Sequence, residues 1–401
     1  MKSDYESRRR RSHELSERAS TVMPGGDTRS VTYFEPYPTF MASGSGCFIQ
    51  DVDGNTYTDF LNNYTVLVLG HAHPQVVDAV VERVKKGTVF PAPAEEQILL
   101  AESIKRRVKS CDLVRFCNSG SEANIQAIRV ARAHTKRRKV VKPYGGYHGG
   151  FDISDFLIIP FNDQEKAEDV IRKNKDDIAC VIVEPVLGMG MIPAERDFLQ
   201  VLRELTLDFD IVFVLDEVVT FRLDMGGAQT LYKITPDITT FGKIIGGGFP
   251  VGAFGGNEDL MILFSPQREK FIPHSGSFNG NPVTMTAGIE TLKLLDSQAI
   301  EELNKRGDLL RSNLNKIMED MSVSVSGTGS LLHFHWAESP ALNAEEFERQ
   351  NRAWFSKLHM LMLMEGVYMA PRGMFNLSRA LGEPELDMFV KSAKRVIPRI
   401  K

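Results

Sequence analysis

The chain has 401 residues, enough for more than one domain, and its 42% hydrophobic and 25% charged residues are typical of a folded globular protein. Its net charge of −4 gives no general attraction to nucleic acid or to an anionic membrane, so we expect neither as a partner. The N-terminus has no apolar signal segment, and the four cysteines show no metal-binding spacing. We therefore expect a cytoplasmic protein without a metal site.

In chain order, the first strongly patterned region alternates short apolar strands with amphipathic helices. Four runs rich in Val, Ile, Leu or Phe are predicted as strands: Leu113–Cys117, Val140–Lys142, Ile178–Val183 and Ile211–Leu215. An amphipathic helix containing Phe198, Leu202 and Leu205 precedes the last of them, which is the order of a βαβ unit. The sequence therefore predicts an α/β fold with a mostly parallel sheet buried on both faces.

After about Leu294 the pattern changes to longer charged helices and shorter strands. The predicted elements are helices at Ile300–Met318 and Ala344–Gly366 and strands at Ser322–Val325 and Leu331–His335. We interpret this part as a smaller α+β domain that packs with the N-terminal segment. The predicted organisation is an N-terminal segment at 1–45, a large domain at 46–293 and a small domain at 294–401.

Polar residues follow the predicted strands, where open α/β sheets bind their ligands. Asn118–Ala123 opens a helix and suits a phosphate, although the same residues also suit an ordinary N-cap. Asp216 and Glu217 directly follow a strand, and we expect this acidic pair to be exposed to the ligand crevice. A carboxylate there is suited to a cationic ring nitrogen, to a metal ion or simply to a solvated loop.

A single lysine, Lys243, stands in the glycine-rich apolar segment Phe241–Gly248. Most lysines are surface charges, but an amine in apolar surroundings can act as a nucleophile or form a Schiff base. The segment His274–Pro282 is rich in turn-forming residues and precedes a helix from about Val283. Its residue types alone do not distinguish a binding loop from a simple connection.

An anion cradle, an acid for a ring nitrogen and a buried amine together match the needs of pyridoxal phosphate. The order of the motifs resembles the class III aminotransferases of fold type I, and within them the branch that includes glutamate-1-semialdehyde aminomutase. The resemblance covers nearly the whole chain and rests on Met23–Gly26, Asp51–Asn55, Leu69–Pro74, Tyr147–Gly149, Glu184–Pro185, Leu215–Val218, Gly226–Gln229, Pro236–Asp237, Gly242–Gly248 and Gly280–Pro282. It implies a large domain with a mostly parallel sheet of seven-stranded type and a smaller α+β domain.

The resemblance also implies roles for single residues. Lys243 resembles the lysine that binds the cofactor as a Schiff base and moves a proton between the substrate Cα and the cofactor. Asp216 resembles the acid that keeps the pyridine nitrogen protonated. The further cofactor contacts implied are Ser119, Gly120 and Ser121 at the phosphate, Tyr147 with its neighbour His148 on one ring face, Val218 on the other, Glu184 beneath the cofactor, and Ser277. Because Ser277 matches a hydroxyl that reaches the phosphate from the neighbouring subunit, we expect a homodimer with shared active sites.

Two departures from the aminomutase pattern favour a transaminase. The path from Gly150 to Asp163 is too short for the longer gating segment of the mutase. Arg372 stands where the mutase pattern has small residues and a Glu, and an arginine suits a substrate carboxylate. Arg29 and the stretch Leu61–Tyr64 resemble the β-amino-acid transaminases of this branch, such as those acting on β-phenylalanine, in which an arginine at the position of Arg29 meets the substrate carboxylate.

The sequence therefore predicts a ping-pong aminotransferase that acts on small molecules. We expect a β-amino or aromatic amino acid as one substrate and 2-oxoglutarate or pyruvate as the other. An aminomutase or an amino-acid racemase on the same scaffold remains open, as does a catalytically idle cofactor-binding homologue. Dependence on an external 2-oxo acid distinguishes a transaminase from the mutase and the racemase.

Overall fold

The computed structural model describes residues 2–150 and 155–400. Residues 151–154, which belong to the short path predicted to exclude a mutase gate, lie outside the described residues. The chain forms two compact units. Unit 1 contains residues 1–73, 303–341 and 348–401, and unit 2 contains residues 74–302 and 342–347.

The strands of the described residues are short, and most of them belong to three sheets. In chain order they are β1 (Met41–Ser45), β2 (Phe48–Asp51), β3 (Thr56–Asp59), β4 (Leu113–Cys117), β5 (Lys139–Pro143), β6 (Phe156–Ile159), β7 (Ile178–Val183), β8 (Val186–Leu187), β9 (Ile192–Pro193), β10 (Val212–Asp216), β11 (Ile238–Gly242), β12 (Gly252–Gly256), β13 (Ser324–Thr328), β14 (Leu331–His335), β15 (Val367–Tyr368) and β16 (Met374–Asn376).

The helices range from single turns to the 21 residues of the longest one. In chain order they are α1 (Lys2–Arg8), α2 (Arg10–Ser20), the single turn α3 (Asn62–Thr65), α4 (Pro74–Val84), α5 (Glu95–Arg107), α6 (Gly120–Thr135), α7 (Gln164–Asn174), α8 (Arg196–Asp208), α9 (Ala228–Tyr232), α10 (Glu258–Met261), α11 (Pro282–Leu294), α12 (Ser297–Ile317), α13 (Ala344–Glu348), α14 (Arg352–Met364) and α15 (Glu383–Val396). Short 3₁₀ helices lie at Pro24–Gly26, Ser30–Thr32, Thr220–Arg222, Lys243–Gly246, Ile262–Phe264 and Ile397–Arg399. Among the described residues, no helix is both long and apolar enough to cross a membrane.

Unit 2 is built on a seven-stranded sheet with the order β4-β12-β11-β10-β7-β5-β6. Strand β12 is antiparallel to both of its neighbours, and the other pairs are parallel. Every residue of β7 and β10 is buried, as expected for central strands covered by helices on both faces. The predicted α/β class with a mostly parallel sheet is confirmed.

Unit 1 contains a four-stranded sheet with the order β1-β2-β3-β15 and a three-stranded antiparallel sheet with the order β13-β14-β16. Its N-terminal helices are anchored by the buried Arg9, whose Nε donates to the Tyr57 hydroxyl over 3.0 Å and lies 3.8 Å from Asp51. The unit differs in extent from the predicted segments at 1–45 and 294–401. It includes β1 to β3, because β3 pairs with β15, and the later boundary at 302/303 falls inside α12.

The single helix predicted over Ala344–Gly366 is wrong, because two helices occupy this stretch. Helix α13 ends at Glu348 and α14 begins at Arg352. Asn351 lies between them as the N-cap of α14, with its side-chain oxygen accepting from the backbone N–H of Ala353 over 3.0 Å. An asparagine stabilises a helix N-terminus far better than a helix interior, so the break lies at this residue.

Candidate active site

The residues predicted to carry chemistry converge at one edge of the unit 2 sheet. Strands β4, β10 and β11 run in the same direction, so their carboxyl ends lie at the same edge. Ser119 follows β4, Asp216 ends β10 and Lys243 follows β11. The topology thus brings together a helix N-terminus, a carboxylate and an amine that are far apart in sequence.

Asp216 is buried and accepts hydrogen bonds at both carboxylate oxygens. Its Oδ2 accepts from Asn124 Nδ2 over 2.7 Å and lies 2.8 Å from His148 Nδ1. Its Oδ1 accepts from the backbone N–H of Val218 over 3.0 Å. A carboxylate that is only 3% exposed needs such partners, because burial removes the hydrogen bonds that water would provide.

Asn124 of helix α6 is a site residue that the sequence analysis missed. Besides its bond to Asp216, its Nδ2 donates to the carbonyl of His148 over 2.8 Å, and its Oδ1 accepts from the Thr240 hydroxyl over 2.6 Å. Its position one turn into the helix that starts at Gly120 was the available signal, since that turn faces the strand ends. A polar residue among buried Ala and Ile side chains on that face required a partner.

Glu217 does not share the environment of Asp216, and the prediction of an exposed acidic pair is wrong. Both side chains are buried, and successive residues of an extended chain point to opposite sides. Glu217 accepts from the backbone N–H groups of Ala228 and Gln229 over 2.7 and 2.9 Å and from the Thr220 hydroxyl over 2.8 Å. These bonds make Glu217 a structural residue that holds the start of α9.

Glu184 lies directly after β7 and is almost fully buried. Burial raises the pKa of its carboxyl to about 7, His148 opposes the rise, and the negative charge of Asp216 adds to it. Backbone N–H groups of Tyr147 and Gly188 donate to its two oxygens over 2.9 and 3.2 Å. Glu184 can therefore gain or lose a proton near neutral pH.

The segment after β4 is both an N-cap and a suitable anion cradle. The Ser119 hydroxyl oxygen accepts from the backbone N–H of Glu122 over 3.1 Å and so caps α6. The N–H groups of the first helical turn, Gly120 and Ser121, have no acceptor within the helix. Both interpretations of this motif therefore apply to different atoms: the Ser119 side chain caps, and the first-turn N–H groups can bind an anion.

Gly120 is required by close packing against Val218. A Cβ atom on Gly120 would lie 2.8 Å from both methyl groups of Val218. The same valine lies near Gly242, which precedes Lys243, because a Cβ on Gly242 would be 3.2 Å from Val218 Cγ1. Val218 thus contacts the segment after β4 and the segment before the lysine.

Lys243 adopts a left-handed backbone conformation with φ of 49°. This region is costly for residues other than Gly, by about 1–2 kcal/mol, and it concentrates at functional sites. The lysine is half-buried and is followed by the buried residues Ile244, Ile245 and Gly246. The donor set fits pyridoxal phosphate: N–H groups for a phosphate, a buried carboxylate for a ring nitrogen and an amine for the aldehyde.

Tyr147 and Ser277 are the predicted cofactor residues with exposed side chains. The Tyr147 side chain is 68% exposed, although its backbone N–H is fixed by Glu184. Ser277 lies in an exposed loop that is connected to the cradle through Asn279, whose Oδ1 accepts from Asn118 Nδ2 over 2.8 Å. Within the described residues, no group of three or more His, Cys, Asp or Glu side chains is arranged to hold a metal ion.

The two arginines predicted to bind substrate, Arg29 and Arg372, belong to unit 1, and both act on Tyr64 of that unit. The Arg29 guanidinium carbon lies 5.3 Å from the centroid of the Tyr64 ring. Burial raises the pKa of the Tyr64 hydroxyl, and the positive charges of Arg29 and Arg372 oppose the rise. Arg372 is exposed at the tip of a turn. The turn is closed by a hydrogen bond from the backbone N–H of Gly373 to the carbonyl of Ala370 over 3.0 Å.

Comparison with known proteins identifies the family. The family model described as aminotransferase class-III matches residues 32–154 and 152–382. A glutamate-1-semialdehyde 2,1-aminomutase from Methanothermobacter thermautotrophicus is 39% identical over an alignment covering 98% of this chain and 100% of the relative. This relative is nearly collinear with the chain.

Two solved structures share the whole architecture. A β-phenylalanine aminotransferase from Variovorax paradoxus has a TM-score of 0.96 and 36% identity, with coverage of 99% of this chain and 95% of that one. A structure described as a transaminase with PLP bound has a TM-score of 0.93 and 34% identity, with 98% of each chain covered. The chain therefore belongs to the class-III aminotransferases, and its cofactor is pyridoxal phosphate.

Proposed function

We propose that this enzyme transfers an amino group by a ping-pong mechanism between an amino acid and a 2-oxo acid. A β-amino or aromatic amino acid is the favoured donor, and 2-oxoglutarate or pyruvate is the acceptor. The observation that carries this proposal is the exposed Arg29 beside Tyr64, together with a second exposed arginine of the same unit, Arg372. Two guanidinium groups suit an enzyme that binds carboxylates in both half-reactions.

The cofactor, when bound, would supply an electron sink for the carbanion at the substrate carbon that carries the amino group. In this proposal Lys243 would hold the cofactor and move the proton to and from that substrate carbon. Asp216, fixed by Asn124 and His148, would keep the ring nitrogen protonated. Gly120 and Ser121 bind the phosphate through their N–H groups, Ser119 orders that helix end, and Ser277 adds a hydroxyl from the neighbouring subunit. Tyr147 and Val218 would pack against the two faces of the ring, and Glu184 would lie beneath it.

The favoured donor class is supported by one of the similar structures. The Variovorax paradoxus enzyme is described as a β-phenylalanine aminotransferase and is 36% identical to this chain. Arg29 and the segment Leu61–Tyr64 also resemble those of β-amino-acid transaminases. A β-amino acid places its carboxylate one carbon further from the reacting amine than an α-amino acid does, so two arginines at different positions suit the two acids.

Variants of the two arginines test the carboxylate role. Arg29→Ala and Arg372→Ala should each raise KM for at least one acid by roughly 10- to 100-fold, the loss of a charged hydrogen-bond pair. Arg349→Ala is the matched control, because Arg349 is an exposed arginine of the same unit. If neither variant changes KM for any amino acid or oxo acid, the assignment of both arginines is wrong.

An aminomutase is the second candidate, because the Methanothermobacter relative carries that name at 39% identity. A mutase moves the amino group within one molecule and needs no external acceptor. Supplying glutamate-1-semialdehyde alone, with product analysis by mass spectrometry, separates the two. Conversion without an added 2-oxo acid would establish the mutase.

We also propose that the enzyme is a cytoplasmic homodimer. Its four cysteines are buried free thiols, which suits a reducing compartment.

Val77, Val81 and Val84 form an apolar stripe on α4, each 41–48% exposed, and α4 is joined to α5 by the ion pair between Arg83 and Glu96 at 2.8 Å. Sedimentation should give a dimer of the wild-type chain and a monomer of Val81→Glu. A monomeric wild-type enzyme would contradict the shared-site role of Ser277.

A further inference from the structure

The turn α3 has an unusual backbone that sets the position of Tyr64. Asn62, Asn63, Tyr64 and Thr65 all have positive φ, between 48° and 75°. Left-handed residues other than Gly normally occur singly, because the Cβ atom crowds the following carbonyl oxygen. Four in succession persist only where the surroundings fix them.

Hydrogen bonds of two buried asparagine side chains fix this turn. Asn376 Nδ2 donates to the carbonyl of Leu61 over 2.6 Å, and Asn62 Nδ2 donates to the carbonyl of Asn376 over 3.1 Å. The Asp59 carboxylate accepts from the backbone N–H groups of Leu61 and Asn62 over 2.7 and 2.9 Å. The outer end of the turn, which carries the exposed Asn63 and the half-buried Tyr64, is therefore held by a rigid base.

Asn63 and Tyr64, at the outer end of the turn, contact the side chain of Arg29 from two directions. The Tyr64 ring lies against the guanidinium, with 5.3 Å between the ring centroid and the guanidinium carbon. Asn63 Oδ1 accepts from Arg29 Nη1 over 2.8 Å. The Tyr64 hydroxyl donates to the carbonyl of Val31 over 2.7 Å, which fixes the ring to the same segment that carries Arg29.

The acceptor on Arg29 is a neutral amide. A carboxylate side chain at position 63 would neutralise the Arg29 guanidinium and compete with any acid ligand. The amide of Asn63 orients one N–H group and leaves the positive charge of the guanidinium available. The guanidinium has five N–H donors, so the bond to Asn63 leaves most of them for a ligand. Its exposed position leaves these donors accessible.

We propose that Tyr64 and Asn63 are positioning residues that hold the Arg29 guanidinium ready for a substrate carboxylate. This inference rests on the proposed carboxylate role of Arg29 and extends it. Tyr64 orients the guanidinium plane, and Asn63 fixes its rotation without neutralising it. Both residues act through Arg29 and contribute to affinity for acids only.

The test compares an acid with its neutral analogue. Binding of 3-phenylpropanoate and of 3-phenylpropanamide to the holoenzyme is measured by calorimetry for the wild type, Tyr64→Leu, Asn63→Asp, Arg29→Ala and the control Tyr33→Leu. Tyr33 is an exposed tyrosine of the same segment whose hydroxyl donates to Glu35. Aspartate tolerates the left-handed conformation at position 63, so Asn63→Asp changes mainly the charge.

Tyr64→Leu and Asn63→Asp should each weaken the binding of 3-phenylpropanoate by roughly tenfold. The affinity for 3-phenylpropanamide should change by no more than about twofold. Tyr33→Leu should change neither. Equal weakening of both ligands, or no weakening of the acid, would overturn the inference. If Arg29→Ala weakens the acid but the Tyr64 and Asn63 variants do not, only this inference fails. If Arg29→Ala has no effect, the carboxylate role of Arg29 fails with it.

Discussion

Asn124 Nδ2 and Asp216 Oδ2 lie 2.7 Å apart, and this hydrogen bond connects the helix that starts at the anion cradle to the carboxylate at the end of β10. The same amide nitrogen holds the carbonyl of His148, and the amide oxygen accepts from Thr240. One side chain thus sets the relative positions of α6, β10 and the segment before Gly149.

Replacing Asn124 with leucine should weaken cofactor binding. The change removes a hydrogen bond to a buried charged group, a loss of about 1.5–3 kcal/mol, so the dissociation constant for pyridoxal phosphate should rise about tenfold or more. Equilibrium dialysis measures this change. Asn174→Ala is the control, because Asn174 donates to the carbonyl of Val170 at the end of α7, accepts from Lys139 and lies outside the site. Equal cofactor affinity in Asn124→Leu and wild type would contradict the role of Asn124.

Gly120→Ala should disturb the cradle through a clash with Val218. The added methyl group would lie 2.8 Å from two methyl carbons, so the helix start or the valine must shift. We expect cofactor affinity to fall by roughly tenfold, a cost of about 1–3 kcal/mol for overpacking. The double variant Gly120→Ala/Val218→Ala removes the clash and should recover part of that affinity. A double variant as weak as the sum of both single variants would rule out this steric cause.

The stability of the enzyme should depend on the ionisation of Glu184. The folded pKa of about 7 is above the ordinary value of 4.5, so protonation stabilises the folded state. This contribution, on the order of 3 kcal/mol, is fully present below pH 4.5 and is lost as the pH rises to about 7. Glu184→Gln cannot ionise, so its urea midpoint relative to wild type should rise between these pH values. A difference that does not change with pH would contradict the raised pKa.

Lys243→Ala should abolish covalent attachment of the cofactor. Borohydride reduction followed by mass spectrometry should find the cofactor on the peptide containing Lys243 in wild type and on no peptide of the variant. Turnover should fall at least about a thousandfold, because the same amine moves the proton. Lys233→Ala is a matched control, because Lys233 also has a positive φ, of 56°, so both variants place an alanine in a left-handed backbone conformation. A reduced adduct at another lysine would contradict the assignment.

The sequence was sufficient to predict four strands of the large sheet, β4, β5, β7 and β10, because apolar runs and the residues that follow them are local features. Strand β4 lies at its predicted bounds, and helix α6 begins within the predicted segment Asn118–Ala123. Because the carboxyl ends of parallel strands lie at the same edge of a sheet, the sequence predicts that Ser119, Asp216 and Lys243 lie close together. The alternation of side chains along an extended chain also indicates that Asp216 and Glu217 point to opposite sides.

Other features depend on contacts between distant parts of the chain. The antiparallel strand β12 lies between β4 and β11, and its pairing is set by the sheet as a whole. The left-handed turn at Asn62–Thr65 is fixed by Asn376, more than 300 positions away, so no local pattern predicts it. The role of Asn124 likewise depends on which strands its helix covers.

The absorbance spectrum of the holoenzyme, recorded after β-phenylalanine is added without any 2-oxo acid, tests the proposed transamination most directly. We predict that the band of the lysine-bound cofactor disappears as the donor transfers its amino group, and that adding 2-oxoglutarate or pyruvate restores it. A second donor, such as phenylalanine, distinguishes a β-amino preference from a general aromatic one. If no amino acid in a panel of β-amino and aromatic donors changes the spectrum, transamination of these substrates is contradicted.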